Sequence, residues 1–289
     1  MDLSRFQTRA GGRAHRMVCP AVAVTVLSVL MLAPVAQALS LPRIYWANSV
    51  LSAIGEAKLD GTRAKQRFIS ANAPYGVAVG GSHLFWANMG SNTIGEANLN
   101  GTGVRQDFIT GAKQPAGVAV EGSHIYWGNL RSNSIGEANL NGTGVRQRFI
   151  RAHDPYGVAA NGSHIYWADL AANTIGEANL NGTGVRQRFI TRASAPFGVA
   201  VEGKHIFWAN LGSNKIAEAS LNGTGVRQNF ITGAREPTGL AVDASHIYWA
   251  SSKAIAKATL NGTRVRWMFI RTDAPYGVAV SSSAAIRSH

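Results

Sequence analysis

The chain has 289 residues, with 28 Lys and Arg against 15 Asp and Glu and a formal net charge of +13. Its single cysteine excludes an internal disulfide framework and a Cys-built metal centre. With 46 % apolar residues it is far from the composition of a disordered protein, and the basic excess favours anionic surfaces such as wall polymers, lipid head groups or nucleic acid.

In chain order, residues 1–38 have the layout of an export signal. Arg5, Arg9, Arg13 and Arg16 precede an apolar run from Met17 to about Pro34, and Ala36-Gln37-Ala38 offers small residues for cleavage after Ala38. The alternative is an uncleaved N-terminal membrane anchor, since the run approaches the ~20 residues of a span. Cleavage removes Cys19 and leaves a charge of about +10 with no transmembrane segment. The mature protein is then expected to be monomeric and secreted or at the exterior of the cell envelope.

From residue 39 to 289 the sequence predicts one repeat domain. An aliphatic residue, an aromatic and a tryptophan recur at Trp46, Trp86, Trp127, Trp167, Trp208 and Trp249. Pro-x-Gly-(Val/Leu)-Ala recurs from Pro74, Pro115, Pro155, Pro196, Pro237 and Pro275. The phrase Ile-Gly-Glu-Ala-Asn-Leu-Asn-Gly-Thr-Gly-Val-Arg-Gln stands unchanged from Ile94, Ile135 and Ile175. A period near 40 residues signals blades or a stacked array. Each unit reads as four short strands rich in β-branched and aromatic residues, punctuated by Gly, Asn, Ser and Pro. Residues 43–69 begin at a second strand and residues 275–280 supply a lone first strand. Together they complete a blade alongside 74–109, 115–150, 155–190, 196–231 and 237–270. The expectation is an all-β, six-bladed β-propeller of four-stranded antiparallel blades, closed by the C-terminal strand pairing with the N-terminal blade and followed by a disordered tail at 281–289.

Ile-Tyr-Trp-Ala-Asn (44–48), Ile-x-x-Ala-x-Leu-Asp-Gly-Thr (54–62) and Pro-x-Gly-Val-Ala-Val (74–79), with their later copies, resemble the YWTD repeats of low-density-lipoprotein-receptor class B type. The resemblance covers residues 43–280 and implies a six-bladed propeller. The near-identical copies, basic leader and lack of further cysteines point to a bacterial exported member. The Thr of the motif is Ala or Gly here. Its Asp is Asn48, Asn88, Asn129 or Asn210, and only Asp169 keeps the acid; the sixth copy has Ser251 and is two residues shorter before Ile255.

Little in the repeats has the pattern of catalysis. His83, His124, His164, His205 and His246 fall at one repeat position, which spreads them around a ring instead of converging on a metal. If Asn141-Gly142 is a two-residue hairpin turn, Glu137 faces Arg146, and Glu56, Glu96, Glu177 and Glu218 face Lys65, Arg105, Arg186 and Arg227. As exposed cross-strand pairs these would couple by less than about 1 kcal/mol. Metal-dependent propeller enzymes gather acidic, Asn and His residues at a channel mouth; here Glu121, Asn161, Glu202 and Asp243 read as turn residues. No catalytic residue, metal ligand or cofactor is assigned, and no clustered basic run with interleaved aromatics supports specific nucleic-acid recognition.

The copies differ most in the loops between strands four and one and between strands two and three, which share one face in a meander. The candidate ligand-binding residues are Tyr75, Lys113, Arg131, His153, Asp154, Tyr156, Asp169, Arg192, Phe197, Arg235 and Tyr276, because aromatics and Arg are enriched in binding hot spots. The expected function is non-enzymatic binding of a protein or an anionic envelope glycan. The alternatives are a metal-dependent lactonase, hydrolase or lyase, and a purely structural repeat protein.

Overall fold

The second strand of each repeat sets the architecture. In Arg43–Asn48, His83–Asn88 and their counterparts, five successive residues are buried, so both faces of the strand are covered. A lone two-sided sheet in water would show alternation; continuous burial requires sheets packed face to face. The computed structural model describes residues 41–281, all within one compact unit that spans Leu39–His289. The proposed export segment and tail residues 282–289 lie outside the described residues. Six four-stranded antiparallel sheets form the blades of a propeller. Apart from the strands, the described residues include two single 3-10 turns, Leu130–Ser132 and Leu211–Ser213. Among the described residues no helix is long and apolar enough to cross a membrane.

Blade 2 shows the pattern: Pro74–Gly80 is innermost, followed outward by His83–Asn88, Thr93–Asn98 and Arg105–Ile109. Blades 3, 4, 5 and 6 repeat it as the chain proceeds. Blade 1 is composite. Pro275–Val280 pairs antiparallel with Arg43–Asn48, with Trp46 opposite Val278, and closes the ring as expected. Ser281, grouped with the tail by its sequence, belongs to this seam. It is 2 % exposed, its N–H donates to the Arg43 carbonyl (2.9 Å), and its Oγ accepts from the Arg43 N–H (2.8 Å).

The core lies between blades. The Tyr or Phe of one Trp strand packs toward the next blade, and that blade's Trp packs back. Tyr166 meets Trp208, Tyr45 meets Trp86, and across the seam Tyr248 shares a cluster with Trp46. All six of these tryptophans are 0 % exposed. Burying a large aromatic removes 150–250 Å² from water, worth about 4–6 kcal/mol at ~25 cal/mol per Å².

The outer hairpin differs from the two-residue turn expected of Asn-Gly. The Gly142 N–H donates to the Asn139 carbonyl and the Asn139 N–H to the Thr143 carbonyl, with Gly142 at φ +82°. That is a three-residue loop with a left-handed glycine closing it. A further offset beyond Gly144 restores the pairing of Glu137 with Arg146. The register inferred from spacing therefore holds, although the turn behind it does not. The exposure assumed for these pairs also needs correction: Glu137 is 5 % exposed and Glu56 2 %, so the carboxylates are buried and only the cations reach solvent.

Candidate functional site

A meander places its odd and even loops on opposite faces. On one face the strand 2–3 loops touch the strand 4–1 loops, as in the bond from the Gly90 N–H to the Asn72 carbonyl. On the other, the strand 1–2 and 3–4 turns meet, as in the bond from the Leu99 N–H to the Ser82 carbonyl. The variable loops thus share one face.

Those loops are clamped from both sides. The Asn88 carboxamide oxygen accepts from the Asn72 N–H (2.9 Å), and that of Asn129 from the Lys113 N–H (2.8 Å). This is the role of the Asn that replaces the Asp of the motif. Asn92, Asn133, Asn173 and Asn214 each accept from the N–H of the residue preceding the next proline. Those residues need holding: Gln114, Asp154, Ala195 and Glu236 have φ between +44° and +52°, a left-handed conformation disfavoured without glycine and more so before proline.

At the centre of this face the channel is shut. Gly76, Gly117, Gly157, Gly198, Gly239 and Gly277 bring the innermost strands together around the axis, and a Cβ on Gly157 would lie 2.5 Å from the Phe197 carbonyl oxygen. The cavity inside the ring is only about 60 Å³ and the one at its mouth about 40 Å³. Over the mouth lie four aromatic side chains, half-buried against one another. Tyr75 stacks on Tyr276 with centroids 4.3 Å apart, Tyr156 meets Phe197 at 4.7 Å, and Phe197 reaches Tyr276 at 6.2 Å. Blades 3 and 6, which face each other across the ring, contribute the small Ala116 and Thr238 instead. Burial raises the Tyr75 and Tyr156 hydroxyl pKa values above the usual phenol range, with Tyr276 adding to both.

The other expected site residues fall into separate groups around this lid. In blade 4, His153 Nδ1 lies 3.5 Å from Asp169 Oδ1. The Asp154 carboxyl is pushed up by burial and then by the Asp169 charge, with His153 opposing. Asp169 is 1 % exposed and accepts from the Ala172 N–H (2.8 Å), standing where other blades have the clamping Asn. Lys113 and Arg131 come together through a backbone bond between their loops and are exposed. Arg192 and Arg235 are exposed on loops of neighbouring connections.

The opposite face carries the repeated charges. Glu137 is held by Arg146 (Nε to Oε2, 2.7 Å) and faces His124 at 3.9 Å; Glu218 lies 2.8 Å from His205, and Glu56 lies 3.1 Å from Arg43. The arginines also lie over the outer-strand phenylalanines, with Arg146 4.1 Å from the Phe149 centroid. These groups stay one set per blade. Among the described residues no three His, Cys, Asp or Glu side chains gather as a metal site.

One feature breaks the repeat pattern. Between blades 5 and 6, on the loop-rich side, a groove of about 980 Å³ is lined by Trp267, Met268, Arg235, Glu236 and Lys253, among others. The signal was present: Arg-Trp-Met-Phe at 266–269 stands where other copies have Gln after the basic residue, and the Ser251 loop is short.

No protein-family model matches this chain, and no curated protein matches it. Among solved structures it is similar to the nidogen YWTD propeller of a nidogen/laminin complex, with a TM-score of 0.73 and 18 % identity over 84 % of this chain and 99 % of that one. It is also similar to virginiamycin B lyase from Staphylococcus aureus, solved as a catalytically inactive form with quinupristin (TM-score 0.56, 19 % identity, 72 % of this chain and 73 % of that one). A streptogramin B lyase gives a TM-score of 0.56 at 20 % identity, over 74 % of each chain. At these identities the likeness is one of fold, and the fold is shared by a binding module and by enzymes.

Proposed function

We propose that this chain is an exported, non-catalytic recognition propeller that docks an acidic protein partner on its loop-rich face. The observation that carries the reading is the closed axis. Small-molecule sites are concave and enclose most of their ligand, typically in about 300–1,000 Å³. At the loop-rich mouth and inside the ring the axial spaces are about 40 and 60 Å³, lined by aromatic rings, glycines and small apolar residues, and the acidic and Asn side chains Glu121, Asn161 and Glu202 lie instead beside a cleft of about 240 Å³ at the opposite end of the innermost strands. A broad, clamped face with exposed Lys113, Arg131, Arg192 and Arg235 around an aromatic centre suits a macromolecular surface better than a substrate drawn into a channel. The nidogen neighbour was solved with a protein, laminin, which favours a protein over a glycan as partner.

The test is capture from envelope extracts by the mature protein, repeated with Lys113, Arg131, Arg192 and Arg235 changed to Glu. A second set, Arg148→Glu with Arg188→Glu on the outer strands, is the control. Capture of a defined protein that weakens with added salt and is lost in the first set alone supports the reading. Equal loss in both sets, capture of polysaccharide only, or no capture defeats it.

A further inference from the structure

We propose that the groove between blades 5 and 6 is the specificity pocket of the loop-rich face, taking a bulky apolar side chain presented by an acidic peptide segment. The proposal rests on the reading of that face as a docking surface.

Elsewhere the clefts between blades are bridged. Gln66 donates to the Arg271 carbonyl (2.8 Å), Gln106 to Ser70 (2.5 Å), Gln147 to Thr110 (2.8 Å), Gln187 to Arg151 (2.5 Å) and Gln228 to Thr191 (3.5 Å). The sixth position in this series would reach Thr232, but it holds Trp267. The next residue, polar or charged in every other blade, is Met268. The strand 2–3 loop that would overhang this cleft is two residues shorter than its counterparts, and Ser251 lacks the carboxamide that clamps the neighbouring loop in most blades. Three departures from the repeat therefore coincide at one cleft and open it.

What they expose is apolar. Trp267 is 42 % exposed and Met268 51 %, whereas the other six tryptophans are 0 % exposed. The Trp267 ring is held edge-on to Trp249, centroids 5.8 Å apart, so the apolar wall is preformed. Much of the neutral polar lining is already engaged. The Asn214 carboxamide oxygen accepts from the Glu236 N–H (2.8 Å), and the Ser251 hydroxyl donates to the Ala254 carbonyl (3.1 Å). A saccharide ring would need such amides and hydroxyls to be free. What remains is an apolar wall for one large side chain, with two cations, Arg235 and Lys253, against one carboxylate, Glu236, at the rim. That balance, on a strongly basic chain, favours carboxylates flanking the apolar group.

The six other tryptophans are shielded, so acrylamide-quenchable emission of the mature protein reports Trp267 alone. The probes are the peptides DDELFDED, DDESSDED and KKKLFKKK. DDELFDED is expected to protect Trp267 from quenching saturably, and the other two are not. The double variant Trp267→Gln with Met268→Arg installs residues that other blades tolerate, so it keeps the melting temperature. By anisotropy of labelled peptide it should bind about tenfold or more weakly. Arg235→Glu with Lys253→Glu, which leaves the apolar wall intact, should weaken DDELFDED similarly. Equal affinity for the leucine-phenylalanine and serine peptides overturns the proposal, as does preference for the basic peptide, absence of binding, or wild-type affinity in either double variant. If the Trp267→Gln, Met268→Arg protein still captures the envelope partner, the pocket assignment fails while the docking face stands. If no partner is captured by any form, the docking face itself fails.

Discussion

Glu137 is 5 % exposed, yet the Arg146 side chain that holds its carboxylate is 57 % exposed. The pair is a buried anion neutralised from the solvent side. Removing Arg146 leaves that anion with only His124 nearby. A double-mutant cycle with Glu137→Gln and Arg146→Met should give a coupling of about 2 kcal/mol, above the range of exposed pairs. Arg146→Met alone should be more damaging than the double variant. A coupling under about 0.5 kcal/mol would show that the carboxylate is solvated after all.

The glycine ring makes a sharp steric prediction. Gly157→Ala drives a methyl to 2.5 Å from the Phe197 carbonyl, which is backbone and cannot swing away. Gly162, two residues past the end of the same strand, has nothing within 4 Å. Urea unfolding should show a loss of about 3 kcal/mol for Gly157→Ala and a change within about 0.5 kcal/mol for Gly162→Ala. Comparable midpoints would mean the strands around the axis have room to part.

Blade 6 replaces the usual Glu by Lys257, opposite Arg266. His246 is held below its ordinary value of 6.5, first by burial and then by Lys257, with Asp243 opposing. A depressed histidine favours the neutral form in the folded state, so His246 subtracts stability as pH falls through 6.5 toward its folded value. Lys257→Glu should raise the His246 pKa, followed by NMR titration, and flatten the loss of melting temperature between pH 7 and pH 5. An unmoved His246 titration would remove Lys257 as a cause.

Closure depends on one strand. Deleting 275–289 should leave Arg43–Asn48 unpaired at the axis and abolish a single cooperative transition, whereas deleting 282–289 should leave it intact because the seam ends at Ser281. A permutant that joins Ser281 to Arg43 through a Gly-Ser turn and opens the chain elsewhere should melt within a few degrees of the parent. Calorimetry distinguishes these outcomes.

The blade count, strand order, ring closure and Glu137–Arg146 register were legible because they follow from period and spacing, which survive even when a turn is misassigned. The offset beyond Gly144 compensated for the wrong hairpin type, and spacing alone cannot reveal such a cancellation. Depth was not legible. Glu137 shares a cleft with Leu180 and Asn181 of the adjacent blade, and a single strand's pattern does not report what covers it. Tyr75 and Tyr276 both follow the proline of a Pro-x-Gly motif, which marks them as equivalent positions of two blades. Their mutual stacking depends on ring curvature, which brings together residues about 200 apart. Trp267 is not legible as a site residue from sequence, because it sits on an outer strand where the other copies carry Gln and a single exception resembles drift.

Six nearly equivalent blades would present a partner with six interchangeable landing orientations. Such degeneracy is worth RT ln 6, about 1 kcal/mol of configurational freedom, but it leaves the bound complex rotationally undefined. The opened cleft beside Trp267 occurs once per turn. A partner seated there can be engaged in only one rotational setting, so whatever is tethered to it is aimed in a fixed direction relative to this chain.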